Sequence, residues 1–283
     1  MKPAPFAYIR ARSLAEVFDL IEEHGQEARI LAGGQSLLAT LALRLSEPAL
    51  LIDICGLKDL RFIQERGDSV QIGALTRHGE LETNPLVAAK LPLVALAMPH
   101  VAHPAIRNRG TIGGSLALAD PAAELPACML ALEATLVLAS RAGERRVRAA
   151  DFFKGLYQTD LKAGELLVRI EVPLRDSGWQ FHFGEFSRRH GDYAIAGLAA
   201  AGCWTGARFE GLRLVFFGCG GKPVRAPVAE AVAALPPAAP RYAALRAALD
   251  RDLDPQSDLH ASPEMRKHLA AVLADRAISQ LAN

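Results

Sequence analysis

The sequence has few cysteines and almost no excess of either charge, and each shortage excludes a class of protein. Its 283 residues include four scattered cysteines, at positions 55, 128, 203 and 219, with no C-x-x-C pair. A disulfide framework is therefore not expected, nor a zinc or iron–sulfur site built by this chain alone. Lysine and arginine total 32 and acidic residues total 31, so nucleic acid is not an expected partner.

Long apolar runs and two common nucleotide-binding motifs are also missing. No segment approaches the length of a membrane-spanning helix, and the first residues lack the apolar core of a signal peptide. We therefore expect a soluble, cytoplasmic protein without stable membrane insertion. Neither G-x-G-x-x-G nor G-x-x-x-x-G-K-[ST] occurs, which disfavours a nicotinamide Rossmann site and an ATPase.

The chain nevertheless contains enough apolar sequence, 51%, for buried cores, and its length fits two domains. A capping box at Ser13–Glu16 predicts a helix that ends at Gly25. Strands and helices alternate to about residue 56, with a helix predicted over 37–45. A hairpin around Gly67-Asp68, a helical stretch over 85–100 and further strands follow, up to a polar boundary near residue 175.

The remaining part, residues 176–283, has a different pattern. Three strands are predicted within 180–188, 194–204 and 212–217, followed by helices over 228–235, 242–249 and 262–281. Pro236-Pro237 and residues 250–261 are predicted loops. We expect an α+β protein whose last domain is a three-stranded antiparallel sheet covered by helices.

Two glycine-rich loops are the main candidates for a binding site. Ala32-Gly33-Gly34-Gln35-Ser36 lies between a predicted strand and a helix beginning near Leu37, where free amides can bind a phosphate. Arg109-Gly110-Thr111-Ile112-Gly113-Gly114-Ser115 offers further amides and hydroxyls. Together the loops could hold a dinucleotide pyrophosphate from both sides, although each could also be a simple tight turn.

Acidic residues follow the second loop in Asp120-Pro121-Ala122-Ala123-Glu124. Asp120 is a candidate N-cap of a helix that runs to about residue 132. Glu124 could accept hydrogen bonds from ribose hydroxyls, or could simply be a favourable acid near a helix N-terminus. His100, His103 and His190 are interpreted as structural histidines.

These motifs, in this order, resemble a known family. They are similar to the FAD-binding medium subunit of the xanthine dehydrogenase and carbon monoxide dehydrogenase family. The segments that carry the resemblance are Leu31 to Leu38, Ile52-Asp53-Ile54, Ile106 to Ser115, Asp120 to Pro126, Ser187 to Ala196 and Pro223 to Ala226. The resemblance implies a vanillyl-alcohol-oxidase-type (PCMH-type) FAD-binding domain over 1–175, in subdomains of about 1–56 and 57–175. It implies a carbon monoxide dehydrogenase flavoprotein-like domain over 176–283.

The resemblance also implies which residues bind FAD. The pyrophosphate would be held by both loops. The first contributes residues 32–36 and Leu37, and the second contributes Thr111, Gly113, Gly114 and Ser115. Glu124 would bind the adenosine ribose, and Val101 and Leu167 would touch the cofactor by backbone or apolar contact. Tyr193 would lie near the isoalloxazine, unless it is a strand aromatic packed in the core. Glu185 stands where many relatives carry lysine, so a lysine contact is not expected. No residue is predicted to be a general acid or base, or a metal ligand.

The resemblance further implies a molybdenum hydroxylase in which a large subunit carries a molybdopterin-type cofactor and a small subunit carries two [2Fe–2S] clusters, as a dimer of heterotrimers. Electrons would pass from the clusters to FAD and then to oxygen, a quinone, a cytochrome or, less favoured, NAD. Purines, N-heterocycles, aldehydes and carbon monoxide stay open as substrates. Two alternatives are a stand-alone flavin oxidoreductase of the same fold and a scaffold that has lost FAD. The scaffold without FAD is disfavoured by the intact glycine loops.

Overall fold

A computed structural model describes residues 2–234 and 241–282, and three hydrophobic cores organise them. The first unit contains β1 (Ala7–Arg10), α1 (Leu14–His24), a 3-10 helix (Gly25–Glu27), β2 (Ala28–Leu31), α2 (Leu37–Ala42) and β3 (Leu50–Asp53). Its parallel sheet has the order β1-β3-β2. The Ser13 hydroxyl accepts from the Glu16 amide, as predicted, while the Glu16 carboxylate accepts from the Arg12 amide. Helix α2 ends earlier than predicted, and Arg44 beyond it has a left-handed φ of 57°.

The second unit is built on an antiparallel sheet. Its elements are a 3-10 helix (Lys58–Leu60), β4 (Ile63–Arg66), β5 (Ser69–Gly73), α3 (His78–Thr83), α4 (Pro85–Lys90), α5 (Pro92–Ala97), a 3-10 helix (Met98–His100), α6 (Pro104–Arg107), α7 (Ile112–Leu118), α8 (Glu124–Ala131), β6 (Thr135–Ser140), β7 (Gly143–Arg148), α9 (Ala149–Phe152), β8 (Phe153–Gly155), β9 (Gln158–Thr159) and β10 (Leu166–Pro173). The main sheet has the order β4-β5-β10-β6-β7, and β8 pairs with β9.

The stretch 85–100 is helical, as predicted, and it is divided into α4, α5 and a 3-10 turn, because Pro92 begins α5 and Pro99 lies in the turn. One prediction for this unit is wrong. Asp120 is not the N-cap of α8, which begins at Glu124. Its carboxylate instead accepts from the Ala122 amide at 2.9 Å and forms a local turn ahead of the helix.

The third unit is a sheet covered on one side by helices. Its elements are β11 (Trp179–Phe186), β12 (Ala196–Trp204), β13 (Phe209–Phe217), β14 (Val224–Arg225), α10 (Pro227–Ala233), α11 (Arg241–Asp252) and α12 (Pro263–Leu281). The three long antiparallel strands were predicted, and the two-residue β14 adds a fourth at the edge. Helix α11 extends into the predicted loop 250–261, while Leu235 and the predicted loop at Pro236-Pro237 lie outside the described residues.

The cores connect the units around one region. Val137 and Val168 of the central sheet belong to the core of the first unit. Phe183 and Phe217 of the third unit's sheet belong to the core of the second. Because apolar side chains are shared across both boundaries, the units pack together and enclose a cleft between the first two, with the third at its mouth.

Candidate functional site

The cleft has a volume of about 660 Å³ and is lined by residues from all three units. All fourteen predicted binding residues line it: Ala32, Gly33, Gly34, Gln35, Ser36, Leu37, Val101, Thr111, Gly113, Gly114, Ser115, Glu124, Leu167 and Tyr193. They come from positions 32 to 193 of the chain, so the fold brings together residues that the sequence keeps far apart.

The first glycine loop, residues 32–36, presents a row of unused hydrogen-bond donors. Within residues 2–234 and 241–282, no protein acceptor is in hydrogen-bonding geometry for the five successive amides from Gly33 to Leu37. Gly34 has a φ of +72°, a left-handed conformation that turns the amides toward one side and favours glycine. Successive amides in such a turn form a concave site for an anion.

The two glycine loops are in direct contact. A Cβ placed on Gly33 would overlap the Arg109 carbonyl oxygen and lie 2.7 Å from the Gly110 Cα. Likewise, a Cβ on Gly113 would lie 2.6 Å from both the Cβ and the carbonyl oxygen of Ala74. Both glycines are therefore required sterically, since any side chain would push the second loop away from its neighbours.

The second glycine loop, residues 109–115, offers fewer amides than the sequence suggested. The amides of Ile112 and Gly113 donate to the carbonyls of Thr76 and Ala74 at 3.0 and 2.9 Å. Those of Gly114 and Ser115 donate to the Thr111 hydroxyl and carbonyl at 3.2 and 3.1 Å. Thr111 is thus the N-cap of α7. Ser115 and Gly114 both line the cleft, and a ligand can pack closely against the bare Gly114 Cα.

A buried arginine holds the wall that contains Val101. Arg107 donates to the carbonyls of Val101 and Ala102 at 3.0 and 3.1 Å, and pairs with both carboxylate oxygens of Glu82 at 2.8 and 2.9 Å. Ala102 has a φ of 47°. The planar guanidinium thus helps to hold a segment with a strained backbone.

Glu124 is the buried carboxyl of the cleft. It is the first residue of α8 and only 8% exposed. Burial, assisted by the nearby Glu185, raises the pKa of Glu124 to about 7. Burial also raises the pKa of Asp120, whose carboxylate accepts from the Tyr157 hydroxyl at 3.4 Å.

Tyr193 lies at the mouth of the cleft and is 68% exposed. It is in the loop between β11 and β12, so the alternative of a core strand aromatic is wrong. Arg266 of α12 anchors the nearby backbone by donating to the carbonyls of Ile195 and Gly218. The third unit thereby positions an aromatic side chain over the open end of the cleft.

Histidine 78 lines the cleft and was not among the predicted site residues. It begins α3 and donates its amide to the Gly110 carbonyl at 3.0 Å. Both nitrogens of the His78 ring are buried without a hydrogen-bond partner in the described chain. Burial lowers the pKa of His78 to about 4, so the ring is neutral at physiological pH. The sequence carried only a weak signal for this position, a single histidine outside both glycine loops.

This cleft fits an extended dinucleotide. The five free amides suit a pyrophosphate, Gly114 leaves room for close approach, and apolar residues such as Leu167 and Val101 line the walls. Comparison with known families supports this assignment: residues 4–175 match the family model for the FAD binding domain in molybdopterin dehydrogenase. Residues 181–281 match the model for the CO dehydrogenase flavoprotein C-terminal domain.

The chain belongs to the FAD-binding medium subunits of the molybdopterin dehydrogenase family. Nicotine 6-hydroxylase medium subunit of Paenarthrobacter nicotinovorans is 38% identical over 279 residues, which cover 98% of each chain. A carbon monoxide dehydrogenase structure from Hydrogenophaga pseudoflava has a TM-score of 0.95 at 36% identity and covers 99% of this chain and 98% of that one. Quinoline 2-oxidoreductase from Pseudomonas putida 86 has a TM-score of 0.91 at 39% identity, covering 100% and 98%.

As a member of this family, the medium subunit carries FAD and is part of an oxidoreductase. The resemblance stated from the sequence and the expected fold are therefore confirmed. None of the helices in residues 2–234 and 241–282 combines the length and apolar character needed to cross a bilayer.

Proposed function

We propose that this medium subunit is the electron-transfer flavoprotein of a molybdenum hydroxylase. It would take electrons from [2Fe–2S] clusters on a small partner subunit, which receives them from a molybdenum cofactor on a large partner subunit. It would pass them to an external acceptor. The observation that supports this most directly is the row of five free amides in a cleft that also collects every other predicted FAD contact.

The residues of the chain have separable roles in this proposal. The amides from Gly33 to Leu37 bind the pyrophosphate, with the Ser36 and Ser115 hydroxyls as additional donors. The bare Cα of Gly114 lets the cofactor approach the second loop. Glu124 binds the adenosine ribose, and Leu167 and Val101 exclude water from the cofactor.

Tyr193 marks the end of the cleft at which we place the isoalloxazine. Its ring is exposed and lies near Tyr157, which also lines the cleft and is 56% exposed, and Leu156, the residue before Tyr157, is 59% exposed. Apolar and aromatic side chains left in water on one rim are typical of a surface that a partner subunit covers. A bound FAD supplies chemistry that accepts electrons singly and releases them singly or in pairs, while the chain positions it and tunes its potential.

Assembly with partner subunits is supported by the relatives. The Paenarthrobacter nicotinovorans protein is named as a medium subunit, and the Hydrogenophaga pseudoflava structure is of a carbon monoxide dehydrogenase that lacks the Mo-pyranopterin moiety of the molybdenum cofactor. We propose a three-subunit composition here, assembled as a dimer of heterotrimers with FAD confined to this chain. The FAD-binding domain would span residues 1–175 and the C-terminal domain residues 176–283.

The test uses the complex purified with its native partners, in wild-type form and with Gly114→Val, which we expect to remove FAD. Both complexes are reduced anaerobically with dithionite and then mixed with oxygen, a quinone, cytochrome c or NAD⁺. We expect the iron–sulfur absorbance of the wild-type complex to recover rapidly with at least one acceptor. In the FAD-free complex the same clusters should stay reduced.

A matched control is Gly221→Ala, whose new Cβ would make an ordinary contact with the Leu156 amide nitrogen, at 3.7 Å. It should behave as wild type. Equal rates of cluster reoxidation with and without flavin would overturn the electron-transfer proposal. A wild-type complex that contains flavin but neither molybdenum nor iron would favour the stand-alone flavin oxidoreductase instead.

A further inference from the structure

Three carboxyl groups with little exposure lie near one another at the cleft, and two of them, Asp120 and Glu124, line it. Glu124 and Asp120 are 8% and 9% exposed, and the side chain of Glu185 is 2% exposed. Across the described part of the chain, none of the three forms an ion pair with lysine or arginine. Their one basic partner is His100, whose Nδ1 lies 3.3 Å from the Glu185 Oε1.

The hydrogen bonds of this group are incomplete. The second carboxylate oxygen of Glu185 is buried without a partner in the described chain. Asp120 accepts from the Ala122 amide and the Tyr157 hydroxyl. One imidazolium cannot neutralise three buried carboxylates, and a buried carboxylate without compensation takes up a proton. The geometry therefore favours a neutral carboxylic acid in this group at neutral pH.

Glu124 is the member of the group that holds this proton. Its pKa is raised to about 7, first by burial and then by the charge of Glu185. The charge of Asp120 adds a smaller increase. Two effects oppose the rise: the hydrogen bond from the Glu124 backbone amide at the start of α8, which is larger than the effect of Glu185, and the smaller effect of the charge of His100. The titratable groups around it come from five places: Glu185 on β11, His100 in the 3-10 turn, Asp120 before α8, Tyr193 in the mouth loop and Cys128 one turn along α8.

We propose that Glu124 binds the cofactor as a neutral carboxylic acid that donates its proton to an oxygen of the bound FAD, with Glu185 and His100 setting its protonation. This inference rests on the proposed function and reverses one of its details. The sequence suggested a carboxylate that accepts from ribose hydroxyls, whereas a neutral acid is a donor.

The two roles predict opposite dependences on pH. A donor acid is required in its protonated form, so FAD affinity is full below the pKa and falls as the pH rises through it. A carboxylate acceptor would give affinity that rises over the same range. The loss for a single donor approaches tenfold per pH unit above the pKa, from about pH 7 to about pH 8.5.

The experiment measures the dissociation constant of FAD for the full-length apoprotein by flavin fluorescence, for wild type and Glu124→Gln, between about pH 5.5 and about pH 8.5. Glutamine has the shape of the neutral acid and keeps a donor. We therefore expect Glu124→Gln to bind FAD within about threefold of the low-pH wild-type affinity, with a flat pH profile. Wild type should lose about tenfold or more by the alkaline end.

Two further variants test the roles of the neighbours. Glu185→Gln removes a charge that raises the pKa of Glu124, so the fall in affinity should begin at lower pH. His100→Gln removes a charge that lowers it, so the fall should begin at higher pH. Shifts in opposite directions would not result from structural damage, which would weaken binding by both variants at every pH.

Calorimetry supplies a measurement that does not depend on any variant folding. At about pH 8, FAD binding to wild type should take up as much as one proton, seen as heats that depend on the ionisation enthalpy of the buffer. Affinity that is constant or rises with pH, or binding without proton uptake, would overturn the donor role. A wild-type apoprotein that binds no FAD at any pH would instead overturn the proposed function itself.

Discussion

The contact between the two glycine loops can be tested by a single methyl group, in Gly33→Ala. The added Cβ would overlap the Arg109 carbonyl oxygen and lie 2.7 Å from the Gly110 Cα and 3.0 Å from the Arg109 carbonyl carbon. All three are backbone atoms, so no flexible side chain can move aside. The second loop must shift as a whole.

The expected cost follows from packing and from lost hydrogen bonds. Overpacking of this kind costs about 1–3 kcal/mol, and in a domain of this size 1 kcal/mol corresponds to a fall in melting temperature of about 2–4 °C. If the shift moves one amide away from the pyrophosphate, the loss of that charge-assisted bond costs about 1.5–3 kcal/mol. Each 1.4 kcal/mol is about tenfold in dissociation constant, so FAD affinity should fall roughly ten- to hundredfold.

The assay is a pair of measurements on the purified full chain: FAD affinity by fluorescence titration, and the melting temperature of the apoprotein. Gly221→Ala is the matched control, because it makes the same substitution with only an ordinary contact at 3.7 Å. Any gain from restricting the unfolded chain is shared by both variants. Normal affinity and normal melting of Gly33→Ala would refute the view that loop contact sets the pyrophosphate site.

Three other predictions concern single residues in or next to the cleft. Gly114→Val should abolish flavin absorbance in the purified protein while the C-terminal domain stays folded by circular dichroism. The new Cβ would lie 2.9 Å from the Thr111 hydroxyl oxygen, and the branches of the valine would fill the cleft; full flavin content would contradict this prediction. Arg107→Leu should destabilise the protein by about 3 kcal/mol or more in urea unfolding, since it leaves Glu82 and the carbonyls of the cleft wall without their donor, whereas an unchanged midpoint would show that the wall holds without it. His78, whose folded pKa of about 4 lies below its ordinary value of 6.5, contributes stability that is full above pH 6.5 and is lost as the pH falls toward 4. His78→Gln should therefore be less sensitive to acid than wild type over that range, and parallel stability curves would contradict this.

Local chemistry made much of the fold predictable. The capping box at Ser13, the hairpin at Gly67-Asp68 and the long strands of the C-terminal sheet follow from near-neighbour patterns, and each appears in the structure. The prediction failed where a side chain had another hydrogen-bond partner within reach. Asp120 is a good cap residue, but its carboxylate satisfies a nearer amide and α8 begins four residues later.

Both glycine loops were identified from the sequence, but the different role of each loop was not. Glycine content marks a loop that can approach a ligand, yet it does not reveal where each amide points. The amides of Ile112 and Gly113 are used by the carbonyls of Thr76 and Ala74, which lie more than thirty residues earlier in the chain. Only the folded backbone shows that the first loop keeps its donors free and that the second provides mainly a surface.

By itself, the sequence determined the order of elements, the two glycine loops and the family, because these depend on residue type and short spacing. The tertiary structure decided which groups share an environment. Glu124, Glu185 and His100 are spread over 86 positions, counting both ends, of the chain and meet only because β11 and the turn after α5 pack near the start of α8. Protonation depends on the charges and solvent around a group, and these are set by folding rather than by neighbours in sequence.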